Sequence, residues 1–177
     1  MKTNNLFRLV LVSISLCILN SCSSDDSTDE RQNEIKVNSK SFEIENATLI
    51  EESTYNNVTE FQLYLVSSGV TINADNSING SGDILALTLF SSQQSALEEG
   101  IYLYNDQDNT SLLLNRGSHF FGYDATLGDS QSGNLDIESG SITVEVENSL
   151  FIITVNLTDE LGDIVSGYYK GIITNFN

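Results

Sequence analysis

The chain has 177 residues and contains neither proline nor tryptophan. Its 25 Asp and Glu residues outnumber its seven Lys and Arg residues, which gives a formal net charge of −18. This excess of acids excludes nucleic acid as a partner, since Lys and Arg contacts to phosphates dominate that kind of binding. It also predicts that an anionic membrane surface repels the chain.

Residues 1–21 have the organisation of a secretory signal peptide. Lys2 and Arg8 are basic, and the run from Leu9 to Leu19 is mostly apolar but too short to span a bilayer, which takes about 20 apolar residues. Removal of this segment takes away two cations and no acid, so the net charge of −18 becomes −20.

The end of this segment, Leu19-Asn20-Ser21-Cys22, resembles the lipobox of bacterial lipoproteins. The resemblance implies that Cys22 is lipidated, becomes the first residue and holds the protein in its membrane, since several acyl chains give stable anchoring. The alternatives are an uncleaved anchor and a chance cysteine. Cys17 lies within the signal, so the rest of the chain forms no disulfide.

Residues 22–33 form an acidic, serine-rich tether that spans on the order of 20 Å as a coil. Within it, Ser24-Asp25-Asp26 resembles the export signal of surface lipoproteins of the Bacteroidota, flavobacteria especially, and Asp26-Ser27-Thr28 resembles the O-glycosylation motif of that phylum. The resemblance implies an outer-membrane lipoprotein that faces the cell exterior, with a glycan on Ser27. A tether selected for solubility would have a similar composition.

Residues 34–177 are predicted to form one domain in which apolar residues alternate with polar ones. Ile142, Val144 and Val146, for example, share one face of a strand. The only helical candidate is the turn at residues 91–100. We predict an all-β domain, a single antiparallel β-sandwich or flattened β-barrel of about nine strands, with strands in residues 34–38, 41–51, 60–68, 83–92, 100–105, 118–126, 141–147, 149–158 and 164–174.

Two motifs resemble short Bacteroidota lipoproteins of unassigned function. One is Leu-x-x-Gly-x-Tyr, from Leu97 to Tyr102, and the other is Gly-x-Tyr-x-Gly, from Gly167 to Gly171 in the final β-meander. We expect the glycines of the second motif to let Tyr169 lie over bare backbone on a curved strand. The alternative is that Tyr169 faces a ligand.

The sequence predicts no enzyme. A Ser/His/acid site would need His119, the only histidine, which alternates with Phe121 and Tyr123 and is expected to be packed or edge-exposed. Gly128-Asp129-Ser130 lacks the glycines of a nucleophile elbow, and no pair of carboxylates stands out as a glycosidase pair.

One loop resembles a calcium-binding loop, and no other cofactor is predicted. The stretch from Asp75 to Gly80 places oxygen ligands at alternate residues and glycine at the sixth position. Its twelfth position is Ala86 instead of a bidentate Glu. The candidate calcium ligands are Asp75, Ser77, Asn79 and Asp83, and the alternative is an ordinary hydrated hairpin.

We therefore predict a non-catalytic binding or interaction module for a glycan or a protein. Without tryptophan, a carbohydrate platform must use tyrosine, whose ring has both a flat face and a hydroxyl. The alternatives are a lipocalin-like carrier of a small apolar ligand, which predicts a hollow interior, and a hydrolase. The tyrosine candidates are Tyr55, Tyr64, Tyr102, Tyr104, Tyr123 and Tyr169.

Overall fold

The computed structural model describes residues 31–106, 110–130 and 133–176. The predictions for Cys22, for Ser24, Asp25 and Asp26, and for Ser27 lie outside the described residues. The described residues form a short 3-10 helix, Ala125–Ser130, and twelve strands: β1 (Glu34–Val37), β2 (Lys40–Glu43), β3 (Asn46–Tyr55), β4 (Val58–Val66), β5 (Val70–Ile72), β6 (Ile78–Ser91), β7 (Gly100–Tyr104), β8 (Leu113–Asp124), β9 (Asn134–Glu147), β10 (Leu150–Asp159), β11 (Ile164–Gly171) and β12 (Ile173–Phe176).

The strands form one curled sheet, a half-barrel, so the all-β prediction is confirmed. The order across the sheet is β12-β3-β4-β6-β8-β7-β9-β10-β11-β1-β2, and β5 pairs with β6 outside this path. Most pairs are antiparallel, but β12 pairs with β3, and β7 with β8, in parallel. The nine-strand sandwich is therefore not the arrangement observed, since a single sheet curls round to cover its own apolar face.

Each predicted segment contains strand structure, and the larger number of strands has two causes. Two segments are divided where the chain leaves one partner strand for another, at residues 44–45 and at Ile172. At the first division, the Ile44 amide donates to the Asn33 carbonyl, and the Glu45 amide donates to the Val66 carbonyl. The short strand β5 was not predicted.

The main core fills the concave side of the sheet. Every strand of the path contributes at least one buried apolar side chain to it, including Ile35 of β1, Phe61 of β4 and Ile173 of β12. Phe42 of β2 reaches Phe121 of β8 with ring centroids 5.9 Å apart, so the β1–β2 hairpin packs over the interior. The alternating apolar residues of the sequence point to this side.

A smaller cluster lies on the convex face, where the β5–β6 hairpin covers part of the sheet. Its buried members come from β3, β4, β5 and the middle of β6: Ile50, Tyr64, Val66, Val70, Ile72 and Ile84. Outer-face positions that are apolar in the sequence are therefore buried here by the chain itself.

The loop at residues 91–100 is not helical. The Ser91 hydroxyl donates to the Ala96 carbonyl and accepts from the amides of Gln93 and Glu98. These bonds replace a helical pattern, as expected of serine, whose hydroxyl competes for backbone groups. Within the described ranges, no helix has the length and hydropathy to cross a membrane.

Candidate functional site

A surface groove on the convex face, the outer groove, lies where strands β3, β4, β6 and β8 are adjacent. Across the groove, Ser53 of β3 pairs with Glu60 of β4, and Glu60 pairs with Phe90 of β6. Tyr55 and its partner Val58 extend it along β3 and β4. The lining side chains are Ser53, Tyr55, Val58, Glu60, Phe90, Asn115 and Arg116.

A β-bulge in β3 places Tyr55 in this groove. Glu51 pairs with Phe61 and Ser53 pairs with Glu60, so Glu52 is the extra residue. By strict alternation Tyr55 would share the inward face of Leu49, but one extra residue reverses the phase of the strand. Tyr55 is consequently directed outward and is 75% exposed.

A second bulge, in β8, places Arg116 on the same face. Leu89 pairs with the buried Leu114, whereas Thr88 pairs with Arg116, so Asn115 is the extra residue. Without it, Arg116 would have the inward phase of Leu114. The outward direction of both Tyr55 and Arg116 thus depends on irregular register, which is frequent next to active sites.

The groove combines one exposed aromatic ring with hydrogen-bonding and charged groups. The Arg116 guanidinium lies 4.0 Å from Glu60 Oε1, and the two side chains are 73% and 24% exposed. The Ser53 hydroxyl donates to Glu60 Oε2 over 3.3 Å. An exposed ring beside carboxylate, amide and guanidinium groups can stack on the apolar face of a sugar and hydrogen-bond its hydroxyls.

Tyr64 and Tyr102 are both buried. Tyr64 lies on the face opposite the main core, as its phase predicted, but the β5–β6 hairpin covers it and its hydroxyl donates to Asn76 Oδ1 over 2.6 Å. Burial and the Glu52 charge raise the pKa of Tyr64 despite this hydrogen bond. Tyr102 is fully buried, and its hydroxyl donates to the Glu98 carbonyl over 3.0 Å.

Tyr104 and Tyr123 are partly buried on different faces. Tyr104 packs against the main core on the same face of β7 as Tyr102, as predicted. Tyr123 does not share a face with His119, because a further bulge at Phe121 and Gly122 reverses its phase. It instead packs edge-to-face on Phe120, with centroids 5.6 Å apart.

Tyr169 packs against Gly171 as predicted, whereas Gly167, the other glycine of the motif, lies against Ile35. It is 5% exposed, and its hydroxyl donates to the Ile172 carbonyl over 2.6 Å. A Cβ atom on Gly171 would lie 2.5 Å from the Tyr169 hydroxyl oxygen, so the ring lies against bare backbone. The tyrosine candidates are therefore distributed over both faces of the sheet, and Tyr55 is the one in the outer groove.

Three of the candidate calcium ligands, Asp75, Ser77 and Asp83, have side-chain hydrogen-bond partners within the protein. Asp75 Oδ1 accepts from both the amide and the hydroxyl of Ser77, which lowers the pKa of Asp75. Asp83 Oδ1 accepts from the Gly122 amide of β8 over 2.7 Å. In the described part of the chain, no three His, Cys, Asp or Glu residues are grouped so that they could hold a metal ion.

His119 is packed inside the sheet, in contact with a buried carboxylate that the sequence did not indicate. Its Nε2–H donates to Asp159 Oδ2 over 2.9 Å, and the exposures of the two side chains are 2% and 0%. Nδ1 has no hydrogen-bond partner among the described residues. Among the described residues, no hydroxyl that could act as a nucleophile is hydrogen-bonded to the His119 ring.

Three comparisons give no relative from which a function could be transferred. No protein-family model matches the chain, and no curated protein or solved structure matches it significantly.

Proposed function

We propose that this protein is a non-catalytic glycan-binding module and that the outer groove is its ligand site. The observation that carries the proposal is the exposed Tyr55 ring at the end of a groove that also contains Asn115, Glu60 and Arg116. Aromatic stacking gives a sugar its orientation, and the polar groups give specificity. The two bulges support the proposal because they turn Tyr55 and Arg116 away from the core.

The contents of the groove favour binding over hydrolysis. Glu60 is the only carboxylate among the groove's lining side chains, whereas a glycosidase ordinarily needs two carboxyl groups across the scissile bond. The concave side of the sheet is occupied by the clustered side chains of the main core, which disfavours a lipocalin-like carrier.

We further propose that the module is held on the outer membrane and faces the cell exterior. The support is the resemblance of the Cys22 region to a lipobox and of Ser24-Asp25-Asp26 to an export signal. Acyl chains would supply the anchoring that the acidic domain cannot obtain from an anionic surface. Ser27 is the proposed site of O-glycosylation on the tether.

The glycan proposal is tested by binding measurements on the mature chain carrying Cys22→Ser. A panel of oligosaccharides is screened by thermal shift, and hits are titrated calorimetrically. We expect Tyr55→Ala to weaken binding by about fivefold or more, because loss of an aromatic stacking surface costs about 1–3 kcal/mol for a stacked nucleobase and a sugar face is expected to lie in the same range. Ile164→Ala, which removes an exposed apolar side chain on β11, is the control and should leave the affinity unchanged.

A protein partner is the competing outcome of this experiment. If no glycan shifts the midpoint at a concentration well above millimolar, the glycan proposal is wrong. Loss of affinity in Ile164→Ala equal to that in Tyr55→Ala would also place the binding site elsewhere.

The anchoring proposal has a separate test in cells. Metabolic labelling with an alkyne fatty acid should mark the wild-type protein and not Cys22→Ser, and protease added to intact cells should cleave the wild-type domain. Replacement of Asp25 and Asp26 by Ala should protect the domain from protease while the lipid label remains. Labelling of Cys22→Ser would contradict a lipid on that residue.

A further inference from the structure

We infer that the outer groove prefers a glycan carrying an anionic substituent, a carboxylate or a sulfate, and that Arg116 binds this group. The inference rests on the proposed function and specifies its ligand class. It starts from the position of one cation in a strongly acidic chain.

Arg116 is the only Lys or Arg between residues 41 and 169. The remaining cations of the domain lie elsewhere in the sheet: Lys36 on β1, Lys40 on β2, Lys170 on β11, and Arg31 just before β1. An arginine that is isolated among acids and directed outward by a bulge is a local site for an anion in a surface that otherwise repels one.

The geometry leaves the guanidinium accessible to a ligand. Its side chain is 73% exposed, and the 4.0 Å separation from Glu60 exceeds a hydrogen-bond distance. Glu60 is closer to Ser53, whose hydroxyl donates to Oε2. The planar fork of a guanidinium matches a carboxylate or sulfate in two parallel hydrogen bonds, which a lysine ammonium cannot reproduce.

Arg116 and Tyr55 line the same groove, so one ligand can contact both. With a sugar ring on Tyr55, an acidic substituent can extend toward Arg116. Glu60 can accept hydrogen bonds from sugar hydroxyls, and Asn115 can both accept and donate them. Glu60 repels a second negative charge placed beside it. The groove should therefore select sugars with isolated acidic groups over densely charged ones.

The test compares matched oligosaccharides of one linkage in neutral, uronate and sulfated forms. The protein is the mature chain with Cys22→Ser, and Kd values are measured by calorimetry at low and physiological salt. We expect an anionic form to bind about fivefold to tenfold tighter than the neutral form, a range set by exposed charge-assisted hydrogen bonds. The uronate and sulfate arms identify which group is preferred.

Arg116→Ala should bring the ratio of neutral to anionic Kd to about one, because the anionic form loses more affinity than the neutral form. Arg116→Lys should recover only part of the preference, because it keeps the charge and loses the fork. Lys36→Ala removes a cation from β1, outside the groove, and should preserve the ratio. Tyr55→Ala should weaken neutral and anionic forms alike.

The two proposals fail differently. If the wild type binds neutral and anionic forms with equal Kd, and this binding depends on Tyr55, the inference is wrong. The proposed glycan-binding function is then still supported. A preference that survives in Arg116→Ala also overturns the inference. Absence of binding to every form overturns both.

Discussion

The buried Asp159 carboxylate connects the end of β10 to β8 and to the turn that follows it. Its Oδ2 accepts from His119, and its Oδ1 accepts from the amides of Leu161 and Asp163 in the β10–β11 turn. One carboxylate therefore joins β8 to a turn that lies forty residues away in sequence. Burial acts to raise its pKa, but these hydrogen bonds and the His119 interaction outweigh burial and lower it.

Asp159→Asn should destabilise the domain by about 3 kcal/mol, because it removes the charged acceptor of the buried His119 ring and of two part-buried turn amides. For a domain of this size, that loss corresponds to a fall of roughly 10 °C in the unfolding midpoint. Asp163→Asn makes the same change of charge but keeps the amide that donates to Asp159, and it should have little effect.

The same carboxylate predicts how stability depends on pH. Since the folded-state pKa of Asp159 lies below the ordinary 3.8, its contribution is complete well above pH 3.8 and is lost as the pH falls through the folded-state value. Denaturant unfolding from pH 7 to pH 3 should show this loss in the wild type and not in Asp159→Asn. If the free energy of unfolding changes with pH in the same way in both proteins, Asp159 is not the source of the loss.

At the scale of elements, the β5–β6 hairpin determines which outer-face residues remain accessible. It buries Tyr64 through Asn76, whose Oδ1 accepts from the tyrosine and whose Nδ2 donates to Glu52 Oε1 over 2.6 Å. Asn76 also has a φ of 65°, in the left-handed region that asparagine tolerates better than most residues. Asn76 therefore contributes both to the turn and to its contact with the sheet.

Asn76→Ala should lower the free energy of unfolding by about 2–3 kcal/mol, because the variant loses both side-chain hydrogen bonds and its alanine is strained in the left-handed backbone conformation. Asn76→Gly keeps the backbone conformation and loses only the hydrogen bonds, so it should cost less. Hydrogen exchange should locate the faster opening in residues 70–80. Equal exchange in wild type and Asn76→Ala would show that the hairpin does not depend on this contact.

The bulges are the second element-scale feature, and they explain why the outer groove was missed. Tyr55 was predicted only as one tyrosine among several, and Arg116 was not singled out. Counting residues in twos from Leu49 puts Tyr55 on the inward face, and counting from Leu114 puts Arg116 there. A bulge can be recognised only when the partner strand is known. No residue in 52–55 or 114–116 indicates one in the sequence.

At the scale of the whole molecule, the half-barrel depends on strands that are distant in sequence. The terminal strand β12 pairs in parallel with β3, and Ile173 enters the main core. β12 therefore covers the edge of β3, which would otherwise present unpaired backbone groups. Pairings of this kind form slowly, because long loops must close first.

Truncation after Ile172 should destabilise the domain by about 3 kcal/mol or more and promote aggregation. It exposes the β3 edge and removes a buried isoleucine, each a recognised cause of large losses. Thr174→Ala, an exposed position on the same strand, should be nearly neutral. The measurements are the denaturant midpoint and light scattering, and a truncated protein as stable and soluble as the wild type would show that β12 is dispensable.

The all-β class, nearly every strand and the packing of Tyr169 over Gly171 follow from the sequence, because alternation and glycine spacing are local properties. The absence of cysteine from residues 34–177 follows from composition alone. Three features are visible only in the folded chain: the strands form one curled sheet, Asp159 contacts His119, and Tyr55 and Arg116 line one groove. These features depend on pairing between distant strands and on bulges that reverse a strand's phase. Neither can be predicted from one segment of the sequence, because each depends on the partner strand.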